Sequence, residues 1–202
     1  MKLGIFGGSF DPVHLGHLML AESCREQLAL DKVWLVPAPA PPHKRGQTLS
    51  PFKQRVEMLE LAVAGNPAFI VSQLERDRAG LSFTVDTLRA IHDDQPNAEL
   101  FLLLGADSLH DLPNWREAAE VCRLAILVVV ARPGEPEPDY STLQAIADQS
   151  QIDFFSQHRV TSPLMDLSSS EIRRRVAAGK SIRWRVSRAV EAYIAEQGLY
   201  CQ

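Results

Sequence analysis

Two histidines, His14 and His17, stand three positions apart in a segment that opens with two glycines. We predict that both lie in the first turn of a helix, where residues three apart point to the same side. The unpaired backbone N–H groups at a helix N-terminus already favour anions. The spacing therefore predicts a phosphate-binding site with two titratable donors.

Glycines surround this pair: Gly7 and Gly8, followed by Ser9, come directly after a short apolar segment, and Gly16 separates the histidines. Glycine lets the chain turn tightly and leaves its amide open to a ligand, because no Cβ stands in the way. Two alternatives stay open. One histidine caps the helix while the other packs in the core, or the pair binds zinc, for which an obvious further ligand is missing.

A second candidate is the proline-rich stretch at residues 37–42, which precedes His43 and Lys44. Prolines restrict such a loop to extended conformations and would present both side chains at a fixed height above the sheet edge. A lysine is a point charge suited to a phosphoryl oxygen. The alternative is a surface loop with solvated charges.

A third candidate is the serine run Ser168, Ser169 and Ser170, with Arg173 one helical turn further on. Ser168 and Glu171 fit a capping box, so the serines have a structural role in any case. Their amides and hydroxyls also open toward an anion, and the guanidinium would reach a β- or γ-phosphate. Together with the glycine-rich turn, this gives more donors than a monophosphate needs and suits a triphosphate.

Alternating strands and helices must position these groups. Continuous apolar segments predict strands that are buried on both faces of a parallel sheet, at residues 3–6, 33–36, 100–104 and 125–131. Predicted helices occupy residues 12–28 (with Asp11 as N-cap and Pro12 at the first position), 51–64, 84–92, 115–122, 169–178 and 184–197. The pattern is that of an α/β fold with a doubly wound parallel sheet and a small C-terminal helical extension, in which ligands bind at the carboxyl ends of the strands.

Composition limits the class of protein. The 202 residues are 46% hydrophobic and 23% charged with a net charge of −4, so we expect one domain, residues 1–202, and no nucleic-acid partner. The three cysteines are far apart and odd in number, which favours a reducing compartment. The longest apolar run is much shorter than the roughly 20 residues of a membrane helix. We therefore predict a cytoplasmic protein without a membrane partner.

The motifs also carry a resemblance. Residues 7–17 read G-G-S-F-D-P-V-H-L-G-H, which contains the H-x-G-H signature of the nucleotidyltransferase superfamily and is most similar to the bacterial nicotinate-mononucleotide adenylyltransferases. Further similar stretches follow in order, P-P-H-K, S-F-T-V-D-T and L-S-S-S-E-I-R. The resemblance implies a Rossmann-like fold and an enzyme of NAD biosynthesis. Such an enzyme makes nicotinate adenine dinucleotide and pyrophosphate from ATP and nicotinate mononucleotide, with Mg²⁺ carried on the ATP.

The resemblance and the strand ends together predict the site residues. We expect ATP to contact Gly7, Gly8, Ser9, Phe10, His14, Gly16, His17, Gly105, Asp107, Ser168, Ser169, Ser170 and Arg173. We expect the mononucleotide to contact Ser9, His43, Lys44, Thr84, Trp115 and Arg132. An indole face at Trp115 would stack on the pyridine ring. Helix capping by Thr84 and core packing by Trp115 are the structural alternatives.

The predicted catalytic groups are His14, His17, Lys44 and Arg173. Attack of the mononucleotide phosphate on the α-phosphorus needs no covalent enzyme intermediate, so positioning and charge stabilisation carry the rate. We expect His17 to donate to an α-phosphate oxygen, with His14 and Lys44 sharing that charge. Arg173 and the serine turn would hold the leaving pyrophosphate.

Two other classes remain open from the sequence. One is another H-x-G-H enzyme, which would use nicotinamide mononucleotide or phosphopantetheine or transfer a cytidylyl group. The other is a non-catalytic module that senses nucleotides or binds RNA, which leaves the paired histidines without a purpose. The preference for nicotinate over nicotinamide rests on the resemblance alone, and the sequence predicts no oligomeric state.

Overall fold

A computed structural model describes residues 1–39, 49–76, 81–131, 137–163 and 165–201, and within them one parallel sheet has six strands in the order β3-β2-β1-β4-β5-β6. The strands are β1 (Lys2–Gly8), β2 (Lys32–Pro37), β3 (Phe69–Val71), β4 (Glu99–Gly105), β5 (Ile126–Ala131) and β6 (Val160–Thr161). The chain moves outward in one direction from β1 to β3 and in the other from β4 to β6. The strand order therefore reverses between β1 and β4, which is where a ligand site is expected.

The helices lie on both faces of this sheet. They are α1 (Leu15–Gln27), α2 (Phe52–Val63), α3 (Thr84–Asp94), α4 (Ala106–Asp111), α5 (Ala118–Leu124), α6 (Gln149–Gln157), α7 (Ser169–Ala177) and α8 (Arg188–Glu196), with 3-10 turns at Leu112–Asn114 and Tyr140–Ala145. Core residues of α1, α2, α7 and α8 pack on one face, and those of α3, α4, α5 and α6 on the other. The predicted doubly wound α/β fold is confirmed.

The central strands show why their sequences are continuously apolar. In β4, Phe101 and Leu103 belong to the core on one face, whereas Leu100, Leu102 and Leu104 belong to the core on the other. Successive side chains of a strand point to opposite faces, so a strand covered on both sides needs apolar residues at every position. All five of these side chains are at most 5% exposed.

The predicted start of α1 is wrong. The helix begins at Leu15 with His14 as its N-cap, not at Pro12 with Asp11 as the cap. The Asp11 carboxylate is instead used by distant partners, since it accepts hydrogen bonds from the Tyr200 hydroxyl and the Ser50 backbone N–H. Tertiary contacts therefore override the local capping preference.

Other helix boundaries also differ. Phe83, not Thr84, is the N-cap of α3. Trp115 is the C-cap of the 3-10 turn at Leu112–Asn114, and α5 begins only at Ala118. The last helix begins after Ser187, whose hydroxyl accepts the Val190 N–H, rather than at Trp184. The predicted cap of α7 is confirmed, because the Ser168 hydroxyl accepts the Glu171 N–H at 3.1 Å.

The described part of the chain contains no helix that is long and apolar enough to cross a membrane. The cytoplasmic location stays a prediction.

The three cysteines differ sharply in accessibility. Burial raises the pKa of Cys24 to about 12 and that of Cys122 to about 11, and these side chains are 0% and 3% exposed. Cys201 is exposed. Because the thiolate is the nucleophile, the two buried thiols are protected by both protonation and packing.

We therefore expect a disulfide-exchange reagent at pH 8 to label one thiol per chain quickly and the other two only after unfolding. Absorbance of the released thiolate measures both phases. Cys201→Ser is the control and should remove the fast phase, so fast labelling that persists in this variant would contradict the assignment.

Candidate functional site

Glycines leave bare backbone at the point where the strand order reverses. Gly7, the penultimate residue of β1, lies beside Val36 of β2, and Gly105 ends β4 beside Val130 of β5. A Cβ added at either glycine would meet no atom within 4 Å. Open space therefore borders the carboxyl ends of both central strands, where a nucleotide can approach the main chain.

Gly8 and Gly16 are additionally constrained by packing, because a Cβ at either position would make a tight contact. A Cβ on Gly8 would lie 3.0 Å from the Phe10 ring, and one on Gly16 would lie 3.0 Å from His14 Nδ1. The glycine between the histidines thus makes room for the His14 imidazole. This gives a physical reason for glycine in the H-x-G-H pattern.

The two imidazoles form a stacked pair at the start of α1. Their ring centroids are 3.7 Å apart and the ring planes differ by 23°. The His14 backbone N–H donates to His17 Nδ1 at 3.2 Å. Because Nδ1 of His17 accepts this bond, the ring in its neutral form carries its proton on Nε2.

Aromatic packing fixes the orientation of this pair. The Phe10 ring meets His17 edge-on, with centroids 5.1 Å apart, and Phe6 meets Phe10 in the same way at 5.5 Å. Phe10 is 1% exposed, so the structure leaves this residue almost no surface for the predicted contact with ATP. His14 is 7% exposed and His17 is partly exposed, so the inner ring supports the outer one.

The serine turn docks directly on the chain between β1 and α1. The Ser169 hydroxyl donates to the Pro12 carbonyl at 2.9 Å, and Arg173 Nη1 donates to the Asp11 carbonyl at 2.7 Å. Arg173 Nη2 also contacts the Ser170 hydroxyl at 3.5 Å. The structure therefore brings the two predicted phosphate-binding segments, 157 to 162 residues apart in sequence, into one site.

Asp11 lies at the centre of this arrangement and is 1% exposed. Its Oδ1 accepts the Tyr200 hydroxyl at 2.6 Å, and its Oδ2 accepts the Ser50 N–H at 3.2 Å. Its backbone carbonyl accepts Arg173. The sequence interpretation of Asp11 as a helix cap missed this role, because local spacing carries no information about Tyr200.

A second residue that the sequence analysis missed is Arg55 of α2, which is 1% exposed. Among the described residues its guanidinium donates to four backbone carbonyls, those of Ser9 at 2.8 Å, Ala38 at 2.9 Å, Ser50 at 3.0 Å and Pro39 at 3.3 Å. Burial lowers the pKa of Arg55, but an arginine stays protonated in proteins. The available signal was a charge in the apolar stripe of α2, since Met58 and Leu59 follow at helical spacing.

Two of the predicted mononucleotide residues, Thr84 and Trp115, lie at the start of α3 and directly after the 3-10 turn at Leu112–Asn114. Thr84 and Trp115 are both partly buried, and the residues next to them in sequence, Phe83 and Arg116, contact each other. The Arg116 guanidinium lies 4.9 Å from the centre of the Phe83 ring. The start of α3 and the turn after α4 are therefore adjacent, as a shared pocket requires. Asp107, in the first turn of α4, is exposed.

Three predicted site residues, His43, Lys44 and Arg132, lie outside the described residues. Within the described ranges, no group of three or more histidine, cysteine, aspartate or glutamate side chains converges to hold a metal ion.

Comparison with known proteins identifies the class. A family model described as "Cytidylyltransferase-like" matches residues 5–175, which include both predicted phosphate-binding segments. This match covers most of the chain. The chain therefore belongs to the cytidylyltransferase-like family.

Curated relatives narrow this assignment. The chain is 45% identical over 199 residues to a "Probable nicotinate-nucleotide adenylyltransferase" of Thermomicrobium roseum, with 98% of this chain and 91% of the relative covered. It is 46% identical over 200 residues to a protein of the same name from Thermus thermophilus, with 99% and 100% covered. Within the family, it belongs with the nicotinate-nucleotide adenylyltransferases.

Solved structures support the fold. The nicotinic acid mononucleotide adenylyltransferase of Plasmodium falciparum, complexed with NaAD, superposes with a TM-score of 0.78 at 20% identity and covers 99% of this chain. That match covers 97% of the Plasmodium chain. The same enzyme complexed with APC gives a TM-score of 0.76.

Replacing the buried guanidinium tests whether it organises the site. Arg55→Met should lower the free energy of unfolding by about 2–4 kcal/mol, because several carbonyl oxygens lose their donor in a buried environment. Chemical denaturation measures this change.

Arg123→Met is the matched control, because the Arg123 side chain is 71% exposed. Its substitution should change the unfolding free energy by no more than about 0.5 kcal/mol. Equal effects of the two substitutions would show that Arg55 has no special structural role.

Proposed function

We propose that this protein transfers the adenylyl group of ATP to nicotinate mononucleotide, which yields nicotinate adenine dinucleotide and pyrophosphate in NAD biosynthesis. The names and full-length similarity of the curated relatives support this activity. The observation that carries the proposal for the site is the docking of α7 on the chain before α1. It places Arg173 and the paired imidazoles around the same four-residue stretch, from Asp11 to His14.

In the proposed reaction, a phosphate oxygen of the mononucleotide attacks the α-phosphorus of ATP in line, and the bond to the β-phosphate oxygen breaks. The electron pair of the broken bond leaves with pyrophosphate. Because the acceptor phosphate attacks directly, the protein forms no covalent bond. Positioned donors then lower the barrier by stabilising the charge on the equatorial oxygens. His17 Nε2–H donates to one of these oxygens, and the stacked His14 ring keeps it in place.

The outer phosphates of ATP bind at the end of the site that α7 forms. Arg173 and the turn at Ser168, Ser169 and Ser170 hold the β- and γ-phosphates and then the leaving pyrophosphate. Lys44 contributes further positive charge. Gly7, Gly8, Ser9 and Gly16 allow the main chain to approach the triphosphate.

The nucleoside parts occupy the adjoining strand ends. Gly105 and Asp107 contact the ATP ribose at the end of β4. Ser9, His43, Lys44 and Arg132 surround the mononucleotide phosphate and ribose, and Thr84 and Trp115 form the pyridine pocket. The adjacency of α3 and the turn after α4 supports the last pairing.

Mg²⁺ enters as the ion carried on the ATP phosphates, where it neutralises negative charge. The donors Arg173 and His17 suit a phosphate, and the ATP phosphates would supply the oxygen ligands that Mg²⁺ prefers. The substrates are small molecules that bind to one domain, residues 1–202. We expect the protein to have no nucleic-acid or membrane partner.

Removal of one donor tests the catalytic assignment. His17→Ala should lower kcat by about 100- to 1,000-fold, as loss of a preorganised donor to developing charge does elsewhere. Pyrophosphate release under saturating substrates measures turnover. His92→Ala is the control, since His92 is exposed at the end of α3. Near-normal turnover in the His17 variant would refute its role.

Cytidylyl transfer is the second candidate, which the description of the family model favours. The test combines ATP or CTP with nicotinate mononucleotide, nicotinamide mononucleotide or phosphopantetheine and measures pyrophosphate. We expect the largest kcat/KM for ATP with nicotinate mononucleotide. A site built on hydrogen bonds to the acceptor carboxylate should discriminate strongly against the amide. Faster reaction with CTP, or with another acceptor, would overturn the proposal.

A further inference from the structure

Tyr200 lies far from every motif in the sequence, yet its hydroxyl reaches the turn that precedes α1. It donates to Asp11 Oδ1 at 2.6 Å, across 189 positions of sequence. The ring is partly buried and packs against the core on the α1 side of the sheet. This is a tertiary contact between a segment with no apparent chemistry and the centre of the phosphate site.

The local structure after α8 explains how the Tyr200 hydroxyl reaches Asp11. Gly198 has a φ of +61°, a conformation that glycine adopts readily and that ends helices. The Leu199 N–H returns to the Ile194 carbonyl at 3.0 Å, and the Gly198 N–H to the Ala195 carbonyl at 3.3 Å. This helix-terminating turn reverses the chain and directs Tyr200 back toward Asp11.

Asp11 links this tyrosine to the guanidinium at the site. Its side chain accepts Tyr200, and its backbone carbonyl accepts Arg173 Nη1 at 2.7 Å. Because Asp11 is 1% exposed, water cannot readily replace either partner. A shift of this residue therefore moves the acceptor that orients Arg173.

We propose that Tyr200 is a positioning residue for nucleotidyl transfer, which acts through Asp11 to orient Arg173 toward the outer phosphates of ATP. This inference rests on the proposed function, because it takes from there the role of Arg173. Tyr200 itself touches no reacting atom. Its effect should therefore appear in the steps that depend on ATP and not in binding of the mononucleotide.

The state of the hydroxyl fits this role. Burial, followed by the hydrogen bond and negative charge of Asp11, raises the pKa of Tyr200, while Ser50 and the positive charge of Arg173 act in the opposite direction. The net shift is upward. The hydroxyl therefore stays protonated near neutral pH and continues to donate to the carboxylate.

Tyr200→Phe removes this single donor and keeps the ring that packs on the core. We expect kcat/KM for ATP to fall about tenfold, the scale of one lost hydrogen bond to a charged group. The KM for nicotinate mononucleotide should stay unchanged. Steady-state kinetics at a temperature well below the unfolding midpoint of each variant separate this effect from a loss of folded protein.

Tyr193→Phe is the matched control. The Tyr193 hydroxyl donates to the Glu57 carboxylate, so the substitution also removes a tyrosine-carboxylate hydrogen bond in the same part of the chain. Glu57 belongs to α2 and accepts no hydrogen bond from Arg173 among those that the described residues form. This variant should keep its kcat/KM for ATP. An equal loss in both tyrosine variants would overturn the inference.

A double-mutant cycle with Arg173→Ala tests whether Tyr200 acts through Arg173. If Tyr200 acts through Arg173, Tyr200→Phe should have little further effect on kcat/KM for ATP once the guanidinium is gone. The same tenfold loss in both backgrounds would overturn the inference. If Arg173→Ala impairs the use of ATP but Tyr200→Phe does not, the inference is wrong and the proposed function stands. If Arg173→Ala has no effect, the proposed site itself is wrong.

Discussion

Buried carbonyl oxygens of the turn between β1 and α1 must be hydrogen-bonded, and side chains from distant helices meet that requirement. Arg55 of α2 donates to Ser9, whereas Arg173 and Ser169 of α7 donate to Asp11 and Pro12. A turn that lacks the regular ladder of a helix or sheet is fixed only when such partners satisfy it. The same contacts that complete the turn therefore assemble the site, because they bring α7 and its guanidinium to the histidines.

This arrangement separates the charged groups that support the backbone from those that we propose bind phosphate. Arg55 and Asp11 are both 1% exposed, and both support the backbone, because Arg55 donates to backbone carbonyls and Asp11 accepts the Ser50 N–H. His17 and Arg173 keep part of their surface open while one face of each is held by the protein. Groups fixed in this way need little reorganisation when charge develops on a phosphate, which is the condition for strong electrostatic stabilisation.

The sequence was sufficient wherever a local pattern had a unique structural solution. Continuous apolar segments located β1, β2, β4 and β5, because only a strand covered on both faces needs that pattern. The strands β3 and β6 were missed, since three and two residues are too few to show any period. The serine cap of α7 was predicted correctly, because the cap depends on residues within one turn.

By itself, the sequence determined the alternation of strands and helices, the sheet edge where a ligand is expected, and the histidines and serines that border it. These features follow from spacing within a few residues and from the carboxyl ends of parallel strands. Only the tertiary structure decided that Asp11 accepts hydrogen bonds from both Tyr200 and Arg173, and that the buried Arg55 donates to the turn between β1 and α1. These hydrogen bonds depend on which distant segments lie next to each other in the fold, and a local sequence pattern does not predict that.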